Sequence, residues 1–155
     1  MNAFVTSSAY YKQTSAGFTL IELMVTIAIM AIIVTIAAPN VATQRVKSTT
    51  ATLANALKEA KSESIIRRQA VTLSYKDSEP KAVVATGLNA TQIASFSYNT
   101  KSTIKSTAAT TVVQPSKHVD AAITYTICDS NANATSRQVI VTKVATITNQ
   151  TGGTC

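Results

Sequence analysis

The residue types that most often carry out chemistry are scarce in this sequence. Its 155 residues include one histidine, His118, and two cysteines, Cys128 and Cys155. The cysteines do not form a CxxC pair, and a zinc site would need more ligands than His118 supplies. No glycine-rich phosphate loop is present. We therefore predict no catalytic residue, no metal site and no cofactor, and we expect the protein not to be an enzyme.

One segment has the initial spacing of a calcium-binding loop. Asp129, Asn131 and Asn133 match the first three ligand positions of such a loop. The glycine of its sharp turn is replaced by Ala134, and Ile140 stands where the bidentate glutamate is needed. We therefore interpret this segment as a hairpin turn rather than a cation site.

Glu22 is the ionisable residue with the most informative surroundings. It is the single charged side chain in the mainly apolar run of residues 18–38. As a helix this run is about 31 Å long, enough to cross the hydrocarbon core of a bilayer. A charge at the centre of such a helix costs about 2.5–3.5 kcal/mol on the insertion scale. Glu22 lies near one end, where the cost is smaller, and it still requires a partner.

The start of the apolar run resembles a known processing signal. The run is too long for the apolar region of an ordinary secretory signal peptide. Residues 17–25, Gly-Phe-Thr-Leu-Ile-Glu-Leu-Met-Val, resemble the class III signal of type IV prepilins and type II secretion pseudopilins. The resemblance implies that a prepilin peptidase cuts between Gly17 and Phe18 and methylates the new N-terminus at Phe18. The mature chain would then be the 138 residues 18–155.

The same resemblance gives Glu22 a role in subunit assembly. Cleavage would place an ammonium group on Phe18, and Glu22 lies one helical turn away on the same face. In a filament, the Phe18 ammonium of a neighbouring subunit would pair with Glu22 inside an apolar core, where an unpaired charge is strongly disfavoured. An incidental carboxylate at the membrane interface is the alternative interpretation of Glu22.

A long helix must position these residues. Pro39 is predicted to kink this helix without ending it. Beyond it, a narrow apolar stripe predicts a face that packs on a globular domain, and Glu63 and Arg67 are spaced for an i,i+4 ion pair. We expect the helix to end near Gln69. The stripe consists of Val46, Leu53, Leu57, Ala60 and Ser64.

After the helix, the apolar residues recur with a period of two, which is typical of strands. The predicted fold class is α+β, with a stalk helix packed on an antiparallel β domain that forms two small sheets. The predicted segments are a leader (1–17), a membrane-spanning or filament-core half (18–39), an amphipathic half (40–70) and a β-rich periplasmic domain (71–155). The strand patterns are Val71/Leu73/Tyr75, Ala94/Phe96/Tyr98, Ile123/Tyr125/Ile127 and Val139/Val141, with further strands at 81–86 and 109–114.

Two later segments narrow the resemblance. Residues 53–73 are similar to the second half of the stalk in the GspH/FimT/FimU group, and residues 125–141 are similar to its last hairpin. With Cys155 at the end of the sequence, the likeness is greatest to the FimU branch. An even number of cysteines in an exported domain predicts a disulfide between Cys128 and Cys155. Two separate free thiols are the alternative.

The basic charge raises DNA as a partner. The net charge is +7, but the basic residues are scattered, without the aromatic interleaving that stacks bases. The FimT branch is associated with DNA uptake through an arginine motif near its C-terminus, and residues 145–148 here are Ala-Thr-Ile-Thr. Phosphate contacts need lysine, arginine or converging N–H donors. DNA binding is therefore a minor alternative.

Taken together, the resemblance implies a structural subunit, a minor type IV pilin of a tip or priming complex that supports pilus assembly and twitching motility. The implied partners are the prepilin peptidase, the major and other minor pilins, the inner-membrane assembly platform and membrane lipid. The chain would cross the inner membrane once, with its domain in the periplasm, before it enters the surface filament. The alternatives are an H-type pseudopilin of a type II secretion system, a DNA-binding minor pilin for natural transformation and a simple anchored periplasmic protein.

Overall fold

A long N-terminal helix is followed by eight strands. The computed structural model describes residues 17–155, and at residues 37–40 it describes the backbone alone. Contacts divide the chain into two compact units, one ending at Thr35 and one covering Ile36–Cys155. The elements are α1 (Leu20–Arg67), β1 (Val71–Lys76), β2 (Ala82–Thr86), β3 (Gln92–Ser97), β4 (Ser102–Ser106), β5 (Thr110–Val113), β6 (Ile123–Asp129), β7 (Arg137–Val141) and β8 (Ile147–Thr151).

The predicted apolar stripe of α1 is the face that packs on the sheets. All five of its members are buried, with exposed fractions of 1% or less. The few polar groups on this face have partners: the Thr50 hydroxyl donates to the Val46 carbonyl at 2.7 Å, and the Ser64 hydroxyl donates to the Lys61 carbonyl at 2.8 Å. Because each buried hydroxyl is satisfied, the stripe carries no unpaired polar group that would oppose packing.

The C-terminal end of α1 follows from one residue in a left-handed conformation. Arg68 has φ +54°, its N–H donates to the Ile65 carbonyl, and the Gln69 N–H donates to the Ser64 carbonyl. This pair of bonds is a Schellman motif, which satisfies carbonyls that the helix leaves free. The helix therefore ends at Arg67, two residues before the predicted Gln69, and it is continuous through Pro39.

The strands form two antiparallel four-stranded sheets, in the orders β3-β2-β1-β5 and β4-β6-β7-β8. All six predicted strands are present, within one or two residues at their ends. The sequence interpretation missed β4 and β8. Both are edge strands rich in Ser, Thr, Asn and Gln, so the apolar alternation that marks the other strands is weak in them.

The core lies between α1 and the inner faces of both sheets. In β6, Ile123, Tyr125 and Ile127 point into this core, and all three are at most 4% exposed. The Tyr125 ring meets Tyr75 edge-on, with centroids 6.3 Å apart, and its hydroxyl bonds to Thr111. Burial raises the pKa of Tyr125, and the hydrogen bond with Thr111 opposes that rise. The antiparallel α+β fold predicted from the sequence is therefore confirmed.

Candidate functional site

The predicted cleavage junction lies outside the helix. Residues 17–19 precede α1 in non-helical backbone, and Phe18 is 82% exposed. The helix starts at Leu20 because Thr19 caps it: the Glu22 N–H donates to the Thr19 carbonyl at 3.1 Å and to its hydroxyl at 3.3 Å. A side-chain oxygen at this position satisfies a donor that has no partner within the helix. The Gly17–Phe18 peptide bond therefore lies in accessible backbone.

Glu22 occupies the third position of this helix. Its carboxylate is exposed in the first turn, where a negative charge interacts favourably with the helix dipole. Threonine followed three residues later by glutamate is the sequence signature of a capping box. The sequence interpretation missed the capping role of Thr19, which the Thr-x-x-Glu spacing indicates.

The first part of α1 presents an apolar surface on every side. Its large apolar side chains are 50–77% exposed in this chain, and the segment is long and apolar enough to cross a membrane. The hydroxyls of Thr26 and Thr35 donate to carbonyls three residues earlier, at 2.8 and 2.7 Å. Those bonds satisfy the two polar side chains without water, so the segment is suited to lipid or to other helices.

A disulfide joins Cys128 and Cys155, as predicted, with 5.8 Å between the Cα atoms. It holds residues 152–155 across the outer face of the second sheet. This tail passes over β7 and β6 at Gly153, where a Cβ would lie 2.7 Å from Thr126 Cγ2 and 3.0 Å from Gln138 Cγ. Gly153 also has φ +102°, a conformation that favours glycine. The crossing therefore depends on this glycine.

The residue after Cys128 forms an ion pair with the helix. Arg45 Nε donates to Asp129 Oδ2 at 2.8 Å, and Arg45 Nη2 donates to Asp129 Oδ1 at 2.9 Å. The Asp129 side chain is fully buried and that of Arg45 is 22% exposed. The guanidinium lowers the pKa of Asp129, burial opposes this shift, and the N–H of Asn131 and the charge of Lys101 favour it. No local pattern in the sequence predicts this pairing, because its two members are 84 positions apart.

The residues set aside in the sequence have ordinary structural roles. His118 lies in an exposed loop, where its Nδ1 is 2.9 Å from the Ser116 carbonyl. Asp129 and Asn131 accept hydrogen bonds from the N–H groups of Asn131 and Asn133, so this segment is a turn. Ala145 is buried in the β7–β8 turn with φ +52°. Within residues 17–155, no group of three or more His, Cys, Asp or Glu residues is placed to hold a metal ion.

Comparisons with known proteins match the N-terminal segment and the fold separately. The prokaryotic N-terminal methylation motif matches residues 12–38. A crystal structure of the type IV minor pilin FimU of Pseudomonas aeruginosa superposes with a TM-score of 0.59 at 15% identity, over 69% of this chain and 89% of that one. A second crystal form of the same protein gives 0.56 at 17% identity, over 67% and 91%. No curated protein sequence is significantly similar to the chain.

The chain carries an N-terminal methylation motif on a FimU-like fold. The motif covers Gly17, Phe18 and Glu22 together with the whole apolar run of residues 18–38. The fold likeness, at this level of identity, concerns the long helix and the two antiparallel sheets.

Proposed function

We propose that this FimU-like protein is a minor type IV pilin, a structural subunit in pilus assembly rather than an enzyme. The observation that carries the proposal is the presence of both features in one chain: a methylation motif at residues 12–38 and the fold of a minor pilin. A plain membrane anchor needs neither a glycine-phenylalanine junction nor a glutamate in its first turn.

The proposed first step is removal of residues 1–17. A prepilin peptidase cuts the Gly17–Phe18 bond and methylates the amine of Phe18. The exposed, non-helical backbone before Leu20 supports this step, since a protease must reach an extended peptide bond. The Thr19 cap keeps that bond out of the hydrogen-bonded helix.

The proposed second step is transfer from the inner membrane into a filament. The exposed apolar side chains of Leu20–Ile36 are first covered by lipid and then by the helices of other pilins. The Glu22 carboxylate pairs with the Phe18 ammonium of a neighbour in the filament core, where the low dielectric makes a partner essential. The globular unit faces the periplasm before assembly.

The finer assignment is a place in a tip or priming complex that starts polymerisation and supports twitching motility. Its partners are the major pilin, other minor pilins and the inner-membrane assembly platform. The second candidate is an H-type pseudopilin of a type II secretion system, because those proteins share the processing signal. A DNA-binding minor pilin is less favoured, since Ala145 is buried in its turn and contributes no cation.

Mass spectrometry tests the processing step. The full-length chain is expressed with a prepilin peptidase, and the membrane fraction is analysed for its N-terminus. We expect methylated Phe18 in the wild type and in Gly17→Ala, which keeps a small residue, and an intact leader in Gly17→Val. An uncleaved wild-type chain in the presence of active peptidase would refute the prepilin assignment.

A matched pair of variants tests the assembly step. Glu22→Leu and Glu22→Gln both remove the charge, and Glu22→Gln keeps the polar shape. Both should be inserted and cleaved, because Gly17 and Phe18 remain, and both should reduce pilus yield and twitching at normal membrane levels. Wild-type piliation with either variant would contradict the proposed pairing. A gene deletion that abolishes protein secretion and leaves pili intact would favour the pseudopilin.

A further inference from the structure

The tail after β8 forms hydrogen bonds with the second sheet and its loops in addition to the disulfide with Cys128. The Gly152 N–H donates to the Ser136 carbonyl at 3.0 Å, and the Ser136 hydroxyl donates to the Gly153 carbonyl at 2.8 Å. The Lys105 ammonium also bonds to the carbonyl oxygen of Cys155. The Ser136 and Lys105 side-chain hydrogen bonds are exposed, so they compete with water and are individually weak.

Ser136 is the last residue of the β6–β7 loop, and this loop reaches the helix. The Thr135 N–H donates to the Thr43 hydroxyl at 3.5 Å. At the other end of the loop, Asp129 binds Arg45 through two hydrogen bonds and also accepts the Asn131 N–H. The loop is therefore attached to the same two turns of α1 at both of its ends.

Cys128 and Asp129 bring the tail and the ion pair together. They are consecutive in β6, and Cys128, which the tail covers, is only 3% exposed. One of the pair forms the covalent bond to the tail, and the other holds the helix. The nearby helix residues Ala42 and Val46 are buried at 0% exposure, so this part of α1 is packed beside the loop and the ion pair.

We propose that these contacts form a redox-controlled latch, consisting of Thr43, Arg45, Cys128, Asp129, Ser136 and Cys155, which fixes helix residues 41–46 to the second sheet. Reduction adds two electrons and two protons to the disulfide and gives two thiols. The freed tail leaves the outer face of the sheet, and Ser136 loses its bonds to the tail. The loosened β6–β7 loop then lets water reach Asp129, which lies on the helix-facing side of β6. The Arg45–Asp129 attraction weakens as the local dielectric rises.

The latch does not depend on the proposed role in pili. The attachment of helix residues 41–46 to the second sheet then depends on the redox state of the compartment. The latch is closed where thiols are oxidised and open where they are kept reduced. Helix residues 53–60 stay attached in both states, because Leu53, Leu57 and Ala60 pack in the centre of the core.

Hydrogen exchange on the full-length protein in detergent micelles tests the latch directly. Peptides covering residues 41–50, 53–60 and 130–136 are followed with and without dithiothreitol, which becomes the cyclic disulfide as the protein is reduced. We expect reduction to speed exchange at 41–50 and 130–136 by at least about tenfold, with little change at 53–60. Unchanged exchange at 41–50 would overturn the proposal. An equal increase over all three segments would also overturn it, because the disulfide would then act only as a global cross-link.

A double-mutant cycle supplies the second measurement. Arg45→Met leaves Asp129 buried without its cation, so it should lower the melting temperature strongly when the disulfide is intact. In the Cys155→Ser background, where Asp129 is hydrated, the same change should lower it by less than half as much. The control is Arg67→Met, which removes an ion pair with Glu63 within the helix and should have the same effect in both backgrounds. Equal effects of Arg45→Met in the two backgrounds would refute the coupling.

Discussion

The two glycines of the tail, Gly152 and Gly153, should differ in how much an alanine substitution lowers the stability of the protein. One matched pair of variants measures this difference. Gly152 and Gly153 have φ +125° and +102°, so alanine is strained at both positions. Such strain costs about 1–3 kcal/mol. The surroundings differ: a Cβ at Gly152 meets nothing within 4 Å, whereas one at Gly153 meets Thr126 Cγ2 at 2.7 Å. Gly152→Ala therefore measures the backbone cost alone.

The additional cost at Gly153 comes from the clash. Ordinary carbon–carbon contacts lie at about 3.5–4.0 Å, so the new methyl group would overlap Thr126 by roughly 1 Å. Overpacking of this kind costs about 1–3 kcal/mol. At a few degrees per kcal/mol for a domain of this size, Gly153→Ala should melt about 4–12 °C below Gly152→Ala.

A third variant identifies the clash as the cause. Thr126→Ser removes Cγ2 and keeps the hydroxyl that accepts a hydrogen bond from Gln138 Nε2 at 3.3 Å. It should restore much of the stability of Gly153→Ala and leave Gly152→Ala unchanged. The assay is thermal unfolding of the oxidised proteins, with thiol titration to show that the disulfide is intact. Equal melting temperatures for the two alanine variants, or no rescue by Thr126→Ser, would refute the reasoning.

Three further predictions concern the disulfide, acid stability and the core. The Cys128–Cys155 bond closes a loop with a sequence separation of 27, which stabilises the folded state by about 3.5 kcal/mol on the chain-entropy model. Cys155→Ser should therefore lower the melting temperature by several degrees. Thiol titration of the oxidised wild type should find no free thiol. Because the pKa of Asp129 is lowered from 3.8 on folding, its contribution to stability is present above that value and is lost as the pH falls through the lowered pKa. Urea unfolding from pH 5 to pH 2 should therefore show a smaller loss for Asp129→Asn, and an identical profile for both proteins would contradict this. Leu57→Ala should lower the free energy of unfolding by about 2–5 kcal/mol, because Leu57 is 1% exposed in the core. The control Ile66→Ala, at a position that is 73% exposed, should change it by about 0.5 kcal/mol or less. Similar losses for the two variants in urea titrations would contradict the placement of Leu57 in the core.

The sequence determined those features that arise from local periodicity. Val46, Leu53 and Leu57 recur at helical spacing, and they form the buried face of α1. The alternation in Ile123, Tyr125 and Ile127 placed β6, with these side chains in the core. Each pattern is readable because a helix or strand repeats its exposure with a fixed period, which a single sequence displays in full.

The processing junction was also readable from the sequence, because its residues are consecutive. Gly17, Phe18 and Glu22 stand within one short segment, and the methylation motif covers them. Their roles in cleavage and pairing remain predictions. The same short segment also encodes the helix cap at Thr19, which the sequence interpretation missed.

Only the tertiary structure decided how distant segments meet. Arg45 and Asp129 are separated by 84 residues, and no period connects them. The path of the tail over Thr126 and Gln138, which makes Gly153 necessary, follows from the order β4-β6-β7-β8 in the second sheet. Strand order and register are set by the packing of the sheets on the helix and on each other. The contacts that join the tail to the helix therefore have no local signature, because they exist only when both partners are already in place.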